Sequence, residues 1–92
     1  MKVTEELALV RLRQNVANTL TCLQCDPDLL KLRELGDWLD EFTPNLSRDR
    51  AKEIALLLRD RSATWTRAKR PGSLPRVARQ LHDAADAFLS LL

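Results

Sequence analysis

An all-α fold is what this sequence predicts: a small four-helix bundle or paired helical hairpins, associating as a dimer. Three observations carry that prediction. Apolar residues recur at three- and four-residue spacing through four separate stretches. Glycine occurs only twice and tyrosine not at all, while Leu, Ala and Arg are abundant, a balance that favours helices over sheets. Breakers gather between the periodic stretches, as at Thr43-Pro44-Asn45 and Pro71-Gly72-Ser73. The chain, 92 residues long, is read as one domain covering 1–92.

The first helix is expected over 4–24, capped by Thr4 with Glu5 and Glu6 in its first turn, where negative charge suits the dipole. Leu9, Leu12, Val16, Leu20 and Leu23 form one narrow stripe, and Leu7, Val10 and Ala17 lie off it. Asp26-Pro27-Asp28 reads as a cap followed by proline at the first helical position, starting a helix over 27–43. Leu32, Leu35, Trp38, Leu39 and Phe42 make its buried face, with Glu34, Asp37 and Glu41 opposite. Gly36, inside that pattern, is expected to mark a close helix crossing.

Ser47 is the expected cap of a third helix over 48–68. Ala51, Ile54, Ala55, Leu58, Ser62 and Trp65 share one face of it. Arg48, Lys52, Arg59 and Arg70 line one edge, Asp49, Glu53 and Asp60 take the far side, and Leu56 falls among the charges. After the loop around Lys69-Arg70-Pro71-Gly72, a last helix over 75–91 spreads Val77, Ala78, Leu81, Ala84, Ala85, Phe88, Leu89 and Leu92 over a wide arc, which implies more than one packing neighbour. A chain this short buries about 60–65% of its unfolded surface, so its stability is modest and self-association as a homodimer is expected to complete the core.

No apolar run is long enough to span a bilayer, and Met1-Lys2-Val3-Thr4-Glu5-Glu6 lacks a signal-peptide stretch, so a cytoplasmic protein without membrane contact is expected. Cys22 and Cys25 are too few and too close for a disulfide framework. Their spacing could hold half a zinc site, but the sole histidine, His82, cannot supply the rest of about four ligands. A redox role would want a helix N-terminus, whereas the pair falls at a predicted C-terminus. His82 is read as a boundary residue within reach of Asp86 one turn on. The acids of the second helix lack the loop spacing of a calcium site and are read as a solvated face. Phosphate loops, nucleophile elbows and paired-histidine motifs are all missing from the sequence, so neither catalysis nor a cofactor or metal is expected.

Charge placement is more informative than the net +2. Between 26 and 43, Asp26, Asp28, Glu34, Asp37, Asp40 and Glu41 face only Lys31 and Arg33, whereas arginine and lysine dominate 48–79. Arg59, Arg61, Arg67, Lys69, Arg70, Arg76 and Arg79 surround one loop and Trp65, a footprint that could track a nucleic-acid backbone if the indole were exposed. The favoured expectation is complementarity between the two halves, within the fold, across a dimer or against a charged protein partner. Leu7, Val10, Leu30 and Leu56 are available as contact surface. The segment from Ser47 is one long amphipathic helix behind Pro44 rather than a short recognition helix, which argues against helix–turn–helix DNA binding. The sequence therefore predicts a protein–protein interaction module that regulates or inhibits its partner through Arg48, Lys52, Leu56, Arg59, Arg67, Lys69, Arg70 and Arg76, with nucleic-acid binding through 59–79 as the alternative.

Overall fold

Four helices form where the spacing predicts them, and their ends show what starts and stops each one. A computed structural model describes residues 1–23, 29–66 and 74–92, with side chains described throughout except at 23 and 29–32. Helix α1 runs Val3–Leu23, α2 Leu29–Glu41, α3 Arg48–Thr66 and α4 Leu74–Ser90, and there is no strand among the described residues. The predicted cap at Asp26-Pro27-Asp28, the second cysteine and the basic loop from Arg67 to Ser73 lie outside the described residues, as do the side chains of Leu23, Leu30 and Leu32.

Thr4 is not the cap of α1. The helix starts one residue earlier, with the Glu6 amide donating to the Lys2 carbonyl at 2.9 Å and the Lys2 amide donating to the Glu5 carboxylate at 3.1 Å. Glu5 therefore reaches back as the carboxylate half of a capping box, and a charged acceptor at that position takes over the role expected of the Thr4 hydroxyl. Ser47 caps α3 as predicted, its hydroxyl accepting from the Arg50 amide at 3.2 Å. Helix α2 stops at Glu41, where the Phe42 amide turns back to the Leu39 carbonyl at 3.1 Å ahead of Pro44.

Helix α4 is the centre of the packing. It contacts α3 and α1 extensively, while α2 lies against α1 over a smaller area. Glu41 pairs with Arg50 and Glu34 with Arg61, so α2 and α3 run antiparallel. The Cα radius of gyration is 12.6 Å, close to the roughly 12 Å of a compact chain this size, and the extents are 39 × 21 × 16 Å.

The buried faces are those the periodicity picks out. Leu12 and Val16 of α1, Leu35 and Trp38 of α2, all six stripe residues of α3, and Ala78, Leu81, Ala84, Ala85 and Phe88 of α4 form one core. Leu74 joins it from the first turn of α4, and Leu9, Leu20, Leu39, Phe42 and Leu89 close its edges. Small side chains dominate the inner faces of α3 and α4, at Ala51, Ala55, Ala78 and Ala85, which lets those two helices approach closely. The buried hydroxyls of Thr19 and Ser62 donate to the carbonyls of Asn15 at 2.8 Å and Arg59 at 3.1 Å, and no buried side-chain polar atom among the described residues lacks a partner.

Gly36 marks no close crossing. A Cβ built there meets nothing within 4 Å among the described residues. Gly36→Ala should therefore stabilise the protein by about 1 kcal/mol through helix propensity alone, whereas Phe88→Ala should destabilise it by about 3–5 kcal/mol through the cavity it opens. Urea denaturation of both variants checks the pair of opposite signs.

Candidate docking surfaces

Because the core takes one face of each helix, the residues left outside define what the molecule offers to others. Two outward faces stand out, one on α3 and one on α1.

On α3 the arginines alternate between the flanks of the helix, and each of them meets a carboxylate of this same chain. Arg50 grips Glu41 of α2 bidentately, Nε at 2.8 Å and Nη2 at 2.9 Å, and reaches Glu53 one turn on at 3.0 Å. Arg61 donates to Glu34 of α2 at 3.2 Å. Arg48 donates to Glu5 of α1 at 3.3 Å, and Arg59 to Asp86 of α4 at 3.4 Å. Two acids of the second helix, Glu34 and Glu41, are thus matched to arginines of the third inside the fold, an instance of one of the three forms of complementarity the charge pattern predicts, while Arg48 and Arg59 turn to α1 and α4.

The geometry sets the acidities. Glu5, 3% exposed, accepts from the Lys2 amide and lies beside the Arg48 guanidinium, and these hold its carboxyl below the usual value against the opposing effect of burial. Glu41 is lowered by its hydrogen bonds from Arg50. Arg50 is raised by Glu41 and then Glu53, and Arg61 by Glu34.

Of the predicted contact residues, Lys52, Leu56 and Arg59 follow one another down the outward edge of α3. Leu56 is 41% exposed and lies between the basic row of Lys52 and Arg59 and the acidic row of Asp49, Glu53 and Asp60. Arg48 sits at the head of the helix but turns to Glu5, so it joins α3 to α1 instead of extending that row. Arg76 is exposed in the first turns of α4, and Arg67, Lys69 and Arg70 lie outside the described residues. Trp65 is 5% exposed and belongs to the core. Asp86, expected near His82, faces Arg59 instead, and the His82 Nδ1 lies 3.5 Å from Asp83.

The α1 face is larger in apolar character. Val3, Leu7 and Val10 are 70%, 65% and 65% exposed and project from the side of α1 opposite Leu12 and Val16. A shallow groove of about 560 Å³ runs beside them, lined by Leu9, Val10, Phe42 and Leu46 with Arg13 and Arg48 at its rim. A second, of about 220 Å³, lies between Leu7 and Ala8 of α1 and Ala84 and Ala87 of α4. Leu7 and Val10 are visible in the sequence as off-stripe residues. Val3 is not, and its spacing of four from Leu7 is the signal that would have found it.

Among the described residues no three His, Cys, Asp or Glu side chains cluster as a metal site would need. No helix among them is long and apolar enough to cross a membrane. The chain matches no protein-family model, and neither curated proteins nor solved structures show a significant similarity to it.

The lowered carboxyl groups make stability pH-dependent in a stated direction. A carboxyl whose folded pKa is depressed contributes stability above its unfolded value, near 4.5 for Glu5 and Glu41, and loses it as pH falls through the lower folded value. The denaturation midpoint should therefore decline as pH falls below that unfolded value. Glu5→Gln should lower the midpoint at pH 7 and flatten this acid dependence, which thermal unfolding followed between pH 7 and pH 3 measures.

Proposed function

We propose that this chain is a cytoplasmic protein-interaction module that regulates or inhibits a partner protein by docking the outward face of α3 onto it. The observation that carries the proposal is Leu56, exposed between a basic row, Lys52 and Arg59, and an acidic row, Asp49, Glu53 and Asp60. Such a strip matches an amphipathic helix whose own apolar ridge runs between an acidic and a basic row. The two rows would fix its direction and register, since charge complementarity sets orientation and partner choice more than affinity. Asp86 holds the Arg59 guanidinium in place while leaving it 42% exposed, which reduces the side-chain ordering a partner would have to impose.

The same anchoring favours protein over nucleic acid. A phosphate approaching Arg48, Arg50, Arg59 or Arg61 meets a carboxylate within 3.4 Å of each guanidinium, and Trp65 offers no face for stacking. Arg76 and Arg79, exposed near the start of α4 and without an ion pair among the described residues, are the groups through which nucleic acid would compete.

Affinity capture from native lysate with the whole chain and two variants, Leu56→Asp and Lys52→Glu, tests the proposal. Both positions are exposed, so both variants should keep the wild-type helical circular dichroism. The expected result is a protein retained by wild type after nuclease treatment and weakened about tenfold or more by each substitution. Capture unchanged in both variants overturns the α3 assignment, and capture that disappears with nuclease reassigns the chain to nucleic acid.

A further inference from the structure

The outward face of α1 is left exposed at Val3, Leu7 and Val10, with no helix packed over it among the described residues. Val3, Leu7 and Val10 are followed at the same alternation of four and three residues by Gln14, Ala17 and Thr21, so one line along the whole helix carries no charge. Leu12, Val16 and Thr19 occupy the opposite side and are fully buried. Helix α1 therefore carries a second apolar strip over its first half, at Val3, Leu7 and Val10, spaced as in a two-helix seam and continued by uncharged residues. A single helix face buried in the core needs only the first.

The charges beside this line differ from those of α3. Glu6 and Arg13 lie on one flank, seven residues apart, and Arg11 lies on the other. None of the three has an ion pair among the described residues, whereas Arg48, Arg50, Arg59 and Arg61 of α3 all do. When a second identical helix is laid antiparallel on the line, with Leu7 against Val10 of the second copy, Glu6 falls alongside Arg13 of the second copy. The twofold axis makes that pair twice. The antiparallel arrangement also opposes the two helix dipoles, and the groove lined by Leu9, Phe42 and Leu46 extends the apolar contact beside the seam. A mixed-sign flank of this kind suits a matching protein surface better than a lipid headgroup layer.

We propose that a second copy of this chain docks antiparallel on the outer face of α1, through Val3, Leu7 and Val10 and two reciprocal Glu6–Arg13 pairs. This face is distinct from the Lys52–Leu56 strip of α3, so the two assignments stand or fall separately.

Sedimentation equilibrium of the full chain from low micromolar to near-millimolar concentration tests the proposal. Wild type should approach twice the 10.5 kDa chain mass. The doubly substituted Leu7→Glu, Val10→Glu chain should remain at the single-chain mass with unchanged helical circular dichroism, since both side chains are largely exposed. Glu6→Arg and Arg13→Glu should each weaken association about tenfold, and the two combined should restore it, because the reversed charges again face each other across the twofold axis. Wild type staying at the single-chain mass throughout overturns the proposal, as does a dimer that survives the Leu7→Glu, Val10→Glu substitution. Failure of the combined charge reversal to restore association overturns the antiparallel register. Wild-type binding to phosphatidylglycerol vesicles that Leu7→Glu abolishes, with no dimer formed, assigns the face to a membrane surface instead.

Discussion

The double duty of α4 is the constraint on which the rest of the structure depends. It is the helix that lies broadly against two others, α3 on one side and α1 on the other. A helix in that position must be apolar over a wide arc, and Leu74, Ala78, Leu81, Ala84, Ala85 and Phe88 provide it. Alanines on the inner faces of α3 and α4 bring those backbones close together, and Phe88, Leu81, Ile54 and Leu58 fill the remaining volume. With α1, α3 and α4 joined in this way, α2 is the helix that needs other means of attachment.

Those means are aromatic and ionic. Trp38 and Leu35 insert one face of α2 into the shared core, while Arg50 and Arg61 of α3 reach across to Glu41 and Glu34. Long arginine side chains bridge helices that small side chains would have to bring into contact, and the exposed setting of these pairs makes them registers of position more than sources of stability. Glu5 does the corresponding work for α1, at the same head of α3 where Arg50 meets Glu41. It caps α1 through the Lys2 amide and ties α1 to α3 through Arg48. The four arginines of α3 are thereby engaged in holding the fold's own parts in register, while Lys52, Arg76 and Arg79 remain exposed beside acids such as Asp49 and Glu53.

Periodicity made most of the core legible. Every residue of the α3 stripe, from Ala51 to Trp65, is buried as its spacing predicts, since a helix presents each third or fourth residue to the same side whatever lies against it. The contact surface was legible only in part. Lys52, Leu56 and Arg59 share an edge by the same arithmetic, yet the turning of Arg48 toward Glu5 and of Asp86 toward Arg59 depends on residues 43 and 27 positions apart. Gly36 shows the opposite error, where a local exception suggests a close neighbour and the packing provides none.

The sequence by itself determined that four amphipathic helices form, where Ser47 starts the third, and which stripe of each avoids water, because these follow from backbone hydrogen bonding and the fixed angular step between residues. Only the tertiary structure decided which helix sits between which, that the arginines of α3 are matched one by one to carboxylates, and that the second apolar strip of α1 is left uncovered. Those outcomes depend on how the separate helices are oriented against one another in space, and the spacing of residues along a single helix carries no record of that.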